Sequence, residues 1–262
     1  LNPPRAGDLA GDAVFYRGIA CQRILLLTDF GEGPYVGQIQ ALLHAHLPAV
    51  PCLGLMQDLP VFRPDLAAYL LPALMRDLPD GSLWLCIVDP GVGGPRSGLL
   101  IQAEGHWLIG PDNGLLSQVA RRTVLCRVWQ IGWQPERMSA SFHGRDWFAP
   151  AAVRLFQGED LALTPWGPAK LIGADWPDER AAVIYIDHFG NLMTGLRADR
   201  LDPEAVLIAA GHRLQRARTF CEVAVGQAFW YENALGLVEI AVNQGRADQR
   251  LGLRLGEPIV IG

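Results

Sequence analysis

Six consecutive apolar residues at 83–88 stop at a carboxylate, Asp89. They give way to a loop, Pro90-Gly91-Val92-Gly93-Gly94-Pro95, that ends in Arg96. A short, wholly apolar run suits a strand buried on both faces, as in a helix-covered parallel sheet. In open sheets of that type, ligands bind where strand ends pass into loops. Glycines let backbone N–H groups approach a ligand closely, and an Asp–Arg pair can hold a reacting group in one orientation. The same residues would also make a Pro-Gly turn carrying a surface ion pair. The rest of the chain has to decide between the two.

Up to about residue 160, apolar runs alternate with helical periodicity. Residues 24–28, 51–56 and 83–88 read as strands. Residues 35–47 read as a helix with Val36, Ile39, Leu42, Leu43 and Leu47 on one face and Pro34 in its first turn. Residues 65–78 carry Leu66, Leu70, Ala73, Leu74 and Leu78 at helical spacing, with a kink expected at Pro72. A strand pair follows at 98–102 and 106–109. The turn Pro111-Asp112-Asn113-Gly114 is placed to cap a helix at 115–122. A strand at 124–131 and a helix at 146–156 complete the set. Strands separated by helices predict an α/β domain with a mostly parallel or mixed central sheet.

After residue 180 the texture changes. Short β-like runs at 183–186, 192–196, 206–209, 212–215, 220–225, 227–231, 237–241 and 258–261 are separated by Gly or Asn. Closely spaced strands without long helices predict a small all-β barrel. The expected organisation is a loosely ordered leader (1–22), an α/β N-terminal domain (23–162), a linker rich in Pro, Trp and Gly (163–180), and a C-terminal β-barrel domain (181–262).

Half the residues are hydrophobic and 19% are charged, a balance that favours a packed core over disorder. A net charge of −5 and the lack of any Lys/Arg run argue against a nucleic-acid partner. The apolar runs fall far short of the ~20 residues a membrane span needs, so no membrane partner is expected. Cysteines at 21, 52, 86, 126 and 221 are widely scattered, without a Cys-x-x-Cys. That spacing suits reduced thiols in a cytoplasmic protein better than a disulfide frame or a zinc site.

Several polar residues stand where an apolar run gives out: Asp29, Asp89, Asp112 with Asn113, and Asp187. His143 lies in Ser141-Phe142-His143-Gly144-Arg145-Asp146, just before a helix. Carboxylates at the ends of different strands of one sheet gather along one edge. Each also has an ordinary reading: Asp112 and Asp146 as helix caps, His143 as a packed, hydrogen-bonded side chain. Asp89, Arg96 and His143 rise above that background through the Gly-rich setting of both segments.

Six blocks occur in order: Thr28-Asp29-Phe30-Gly31, Tyr35-Val36-Gly37, Val88-Asp89-Pro90-Gly91-Val92-Gly93, Pro111-Asp112-Asn113-Gly114-Leu115-Leu116, Phe142-His143-Gly144-Arg145-Asp146 and Asp187-His188-Phe189-Gly190-Asn191. Together they resemble the S-adenosyl-L-methionine hydroxide adenosyltransferases, relatives of the fluorinase and chlorinase enzymes, from about residue 23 onward. The resemblance implies an α/β domain, a C-terminal barrel, and a homotrimer whose active sites lie between neighbouring subunits. It implies that water displaces methionine from the ribose C5′ of S-adenosyl-L-methionine, giving adenosine and methionine with no metal and no cofactor. It makes Asp89, Arg96 and His143 the catalytic trio. Asp29 would accept hydrogen bonds from the ribose hydroxyls, Phe189 and Asn191 would hold the adenine, and Asp187 would pair with the methionine ammonium. Asn233 and Ala234 would lie at the methionine end.

The halogenating relatives carry Tyr where this chain has Asp89, and a second Tyr in the segment of His143. Gly144 replaces the Ser whose hydroxyl the fluorinase uses for fluoride. A carboxylate beside the nucleophile would repel a halide, which favours hydroxide transfer. The chain departs from the family pattern in the shortened Glu32-Gly33-Pro34 loop, in Gly54-Leu55-Met56-Gln57 and at Ala234. The family's Ser at that last position would contact the methionine carboxylate, and losing such a hydrogen bond costs about 1.5–3 kcal/mol.

A sulfonium leaves as a neutral thioether, so the chemical difficulty is aligning a water and removing its proton. The expected division of labour gives water positioning to Asp89, the fixing of Asp89 to Arg96, and proton acceptance to His143. Two other classes compete. One is a metallohydrolase using Asp29, Asp89, Asp112 and His143, against which Arg96 argues. The other is a non-catalytic adenosine or S-adenosylmethionine sensor.

Overall fold

In the computed structural model, which describes residues 21–262, the apolar runs of the first half become strands. They are β1 (Arg23–Thr28), β2 (Cys52–Met56), β3 (Ser82–Ile87), β4 (Gly98–Ala103), β5 (His106–Pro111) and β6 (Cys126–Ile131), joined by an edge strand, β7 (Leu163–Pro165). Their order across one sheet is β2-β1-β3-β5-β4-β6-β7. Neighbours from β2 to β5 run parallel, and the pairs β5–β4, β4–β6 and β6–β7 are antiparallel. The sheet is mixed, as the sequence predicts. Almost all of the leader assigned to residues 1–22 lies outside the described residues.

Alternation along β1 explains the two layers. Ile24 and Leu26 point toward α1 (Pro34–His46), while Leu25 and Leu27 point toward α2 (Pro64–Ala67), α3 (Leu70–Met75) and α4 (Ser117–Arg122). A further helix, α5 (Ala149–Gln157), joins the α1 layer with Ala151, Ala152 and Leu155 buried. The helix expected over 65–78 is two short helices, parted at Ala68 and Tyr69. Ala68 lies four residues before Pro72, and a proline ring collides with the carbonyl at that offset. The break therefore falls one turn earlier than the kink predicted at Pro72.

Asp112 does not cap α4. Its Oδ1 accepts the Ile172 N–H at 3.0 Å. Asn113 does the local work instead, accepting the Leu115 N–H at 3.2 Å and donating from Nδ2 to the Val88 carbonyl at 2.8 Å. Asp146, also read as a cap, lies inside a π-helical turn (Gly144–Phe148) that leads into α5.

The second half contains β8 (Arg180–Ile186), β9 (Leu192–Arg197), β10 (Leu207–Ala209), β11 (His212–Leu214), β12 (Ala228–Glu232), β13 (Leu237–Val242), a short helix α6 (Ala247–Leu251) and β14 (Val260–Ile261). Two sheets form, β12-β13-β9-β8 and β11-β10-β14. Bridges from Ala182 to Pro258 and from Arg216 to Trp230 join their edges, so the strands close around one apolar core. The run at 220–225 is no strand: Phe220–Glu222 forms a 3₁₀ turn. Its aromatic ring packs on Phe229 and Tyr231 instead of entering a ladder. Helix α6 carries no clear sequence signal.

The two halves share contacts. Ile184 and Leu237 enter the core on the α2–α4 side of the large sheet. The Tyr185 hydroxyl donates to Asp58 at 2.6 Å. Residues 163–180 supply β7 and pack Leu171 and Trp176 against the same core. No helix among the described residues is long and apolar enough to cross a membrane.

Candidate active site

Strands β1 and β3 are parallel neighbours, with Thr28 opposite Ile87. The residues that follow, Asp29 and Val88-Asp89, therefore leave the same edge of the sheet side by side. The Gly/Pro loop turns back so that Arg96 meets Asp89 again. Arg96 Nε donates to both carboxylate oxygens, at 2.9 and 3.0 Å, and Nη2 donates to Oδ2. The Arg96 and Asp89 side chains are only 7% and 5% exposed, so this ion pair is buried. A surface pair on a turn is excluded.

Gly93 allows the loop to dock. Its φ is +81°, and a Cβ there would stand 2.6 Å from the Ala140 carbonyl oxygen. The loop thus lies directly on the segment that leads to His143. Across that contact Arg96 Nη2 reaches His143 Nδ1 at 2.9 Å. The guanidinium also faces the rings of Trp147 and Phe148, each 5.6 Å away and both from the π-helical turn. Such turns concentrate at functional sites.

The Arg96–His143 contact fixes a proton. A guanidinium only donates, so Nδ1 must be the acceptor and the imidazole is neutral with its hydrogen on Nε2. Burial, and then the Arg96 charge, hold this imidazole below its ordinary pKa, with partial opposition from Asp89 and Asp146. Neither nitrogen is free to take a proton in this arrangement. With the hydrogen on Nε2, His143 is placed to donate through that nitrogen, a different part from the proton acceptance expected from sequence.

A cavity of about 410 Å³ opens beside the trio, lined by Asp29, Asp89 and His143 together with aromatic and apolar side chains. Asp29 Oδ2 accepts the Phe62 N–H at 3.0 Å, and burial pushes its carboxyl pKa up against that bond. Phe62 adopts a left-handed φ of +59° and is 69% exposed, overhanging the cavity. Phe30, Tyr35 and Phe142 form a second aromatic wall, with ring centroids 5.2–5.8 Å apart. Phe62 was not singled out in the sequence; a strained, exposed aromatic shows itself only in three dimensions.

Asp187, Phe189 and Asn191 line a different cavity, of about 650 Å³, in the β-rich half. The two cavities have no lining residue in common. Asp187 accepts the Asn191 N–H at 2.8 Å and its Nδ2–H at 3.0 Å, while the Phe189 ring is 71% exposed. Phe220, Tyr231, Glu239 and Arg246 join this wall. Of these, Glu239 had a readable signal, as a lone carboxylate within the apolar run of β13. Asn233 and Ala234 face a third cavity, although Asn233 donates to Glu239 at 2.7 Å and so touches the second one indirectly.

The residues weighed as metal ligands do not form one group. Asp112 faces Ile172 and does not line the first cavity. Among the described residues, no cluster of three or more His, Cys, Asp or Glu is placed to hold an ion.

Comparison with known proteins identifies the family. The model of the SAM hydroxide adenosyltransferase N-terminal domain matches residues 24–164, and that of the C-terminal domain matches residues 181–260. A Thermus thermophilus protein named (R)-S-adenosyl-L-methionine hydrolase is 36% identical over 263 residues, spanning 90% of this chain and 98% of its own. One of the same name from Salinispora arenicola is 31% identical, spanning 90% and 96%. A crystal structure of a conserved hypothetical protein from Thermus thermophilus superposes with a TM-score of 0.74 at 32% identity, covering 92% of this chain and all of that one. An uncharacterized conserved protein from Thermotoga maritima gives a TM-score of 0.80 at 26% identity, covering 91% and 99%. With both domain models matched and relatives above 30% identity along nearly their whole length, the chain belongs to the SAM hydroxide adenosyltransferase family.

Proposed function

We propose that this protein hydrolyses S-adenosyl-L-methionine to adenosine and L-methionine. The observation that carries the reading is the buried chain Asp89–Arg96–His143 beside a cavity of nucleoside size. A water in that cavity can donate a hydrogen bond to Asp89, whose ionised oxygens keep lone pairs beyond those Arg96 uses. It can also accept one from His143 Nε2–H. Two such contacts fix its orientation toward C5′ and remove much of the entropic cost of attack.

As the water oxygen bonds to C5′, the C5′–S bond breaks and its electron pair stays on sulfur, giving neutral methionine. The attacking oxygen becomes strongly acidic only as that bond forms, so a carboxylate is base enough to take its proton. Asp89 is the acceptor in this scheme. No metal or cofactor is needed, because the sulfonium is already a competent leaving group, and turnover should survive a chelator. The relatives' names specify the (R) form of the substrate. Incubating the protein with each sulfonium epimer, with and without chloride, and identifying the nucleoside by chromatography tests the reading. Adenosine supports it; 5′-chloroadenosine, or intact substrate, contradicts it.

The pH dependence follows from the tautomer. Below its ordinary pKa of 6.5, free imidazole gains a proton, but His143 is held lower by burial and Arg96. Within that window the unfolded chain binds more protons than the folded one. The histidine's contribution to stability is therefore complete above pH 6.5 and lost as pH falls through the depressed value. Turnover is expected to stay level down to pH 6.5 and to decline below it. A decline that begins above pH 6.5 would mean that His143 is not held below its ordinary pKa, and so that the Arg96 contact does not persist in solution.

We also infer a self-associated enzyme, a homotrimer, in which the second cavity of one copy covers the first cavity of its neighbour. The separation of the cavities and the exposed rings of Phe62 and Phe189 support that arrangement. Mixing Asp89→Asn protein with Asp187→Asn protein under exchange conditions should restore about a quarter of wild-type activity, the share of intact composite sites in random oligomers. No recovery in exchanged oligomers would place each site within one chain. The five unpaired cysteines suit a cytoplasmic setting.

A further inference from the structure

Glu239 occupies the middle of β13, where its neighbours Val238 and Ile240 are wholly buried, and is itself only 2% exposed. One of its oxygens accepts the Tyr231 hydroxyl and the other accepts Asn233 Nδ2 at 2.7 Å. Burial, and the Asp187 charge, push this carboxyl above its ordinary range, and the two hydrogen bonds from Tyr231 and Asn233 work against that to favour the carboxylate form. Among the described residues it has no ion-pair partner. The arginines of this region are engaged elsewhere: Arg216 with Glu232 at 3.6 Å and Arg246 with Asp248 at 2.8 Å.

Asp187, on the same cavity wall, spends its oxygens on the Asn191 amides and likewise forms no ion pair among the described residues. Arg246 shares the wall, but its charge is matched by Asp248. Buried charges are ordinarily paired, because an isolated one forfeits its hydration. This cavity therefore presents two carboxylates without a salt-bridged cation of their own.

We propose that Glu239 is a specificity-determining residue of the substrate site. With Asp187 it gives the second cavity a negative potential that selects a cationic sulfonium amino-acid nucleoside over a neutral nucleoside. Tyr231 and Asn233 are positioning residues that aim it. The assignment rests on the hydrolase reading above and adds a determinant to it. Glu239 takes no part in bond making, so its removal should act on binding and leave the chemical step nearly intact.

The test compares one cationic and one neutral ligand of the same cavity. In E239Q, which keeps size and polarity but loses the charge, the KM for S-adenosylmethionine should rise about tenfold or more, while the inhibition constant of adenosine stays within about twofold. The kcat should be little changed. Equal weakening of both ligands would mean that Glu239 only supports the fold, and no weakening of either would mean that its charge is not felt; either result overturns the proposal. Should the amide variant fail to fold, E239D sets the charge back by one methylene, and the same split between KM and the adenosine constant decides. A wild-type protein that releases no adenosine would overturn the hydrolase reading instead. Calorimetric Kd values for the two ligands would then still report on Glu239.

Discussion

Arg96→Ala is expected to cost about 3–5 kcal/mol of stability and to lower hydrolysis at least a hundredfold. The stability loss comes from Asp89, which is 5% exposed and would be left as a buried carboxylate without its cation. His143 would also lose the donor that fixes its tautomer, and Trp147 and Phe148 the cation they face. Urea denaturation followed by tryptophan fluorescence measures the first effect. Adding Asp89→Asn to the Arg96 variant should recover part of the stability, because the stranded charge disappears, but none of the activity. That non-additivity is the signature of a coupled pair. A loss below about 1 kcal/mol in the Arg96 variant would mean that the pair is solvated in solution, as surface pairs are.

Asp89→Asn should reduce kcat by roughly 10²–10⁴ while leaving KM for S-adenosylmethionine within a few-fold. The amide is isosteric with the carboxylate but cannot take the proton that the attacking oxygen sheds. It can also present an N–H to the water and turn it away from C5′. In the proposed scheme Asp89 holds the water and not the bulk of the nucleoside, so substrate binding should survive. Adenosine affinity measured by calorimetry checks that the cavity is still formed. A variant that keeps wild-type kcat would remove Asp89 from the chemical step and leave it a structural counter-ion to Arg96.

The edge of the sheet was legible from the sequence because apolar runs that stop at Asp29 and Asp89 are a local signal. Once 24–28 and 83–88 are recognised as parallel neighbours, the two carboxylates must emerge together. The meeting of Arg96 with His143 was not legible in this way. It depends on Gly93 sitting against the Ala140 carbonyl, a contact between segments nearly fifty residues apart that no periodicity reports. The motif resemblance supplied the trio, but only the geometry supplied the Arg96–His143 contact and the tautomer it favours.

Errors in local structure have equally local causes. The helix at 65–78 broke at the carbonyl that the Pro72 ring would strike, one turn before the proline itself. Phe220 looked like a strand residue because β propensity and aromatic packing share the same side chains. Asp112 looked like a cap because Asp in a turn usually is one, yet Ile172, sixty residues away, claims its oxygen. Glu239 is the converse: its position in an apolar strand was visible, and its partners Tyr231 and Asn233 were not.

Direct attack by water at C5′ is the step on which every assigned role depends. Hydrolysis of S-adenosylmethionine in ¹⁸O-enriched water, with mass spectrometry of the products, tests it. The label is expected on the 5′-oxygen of adenosine, with methionine unlabelled. Free adenine and an intact ribosyl sulfonium, or adenosine without label, would contradict it.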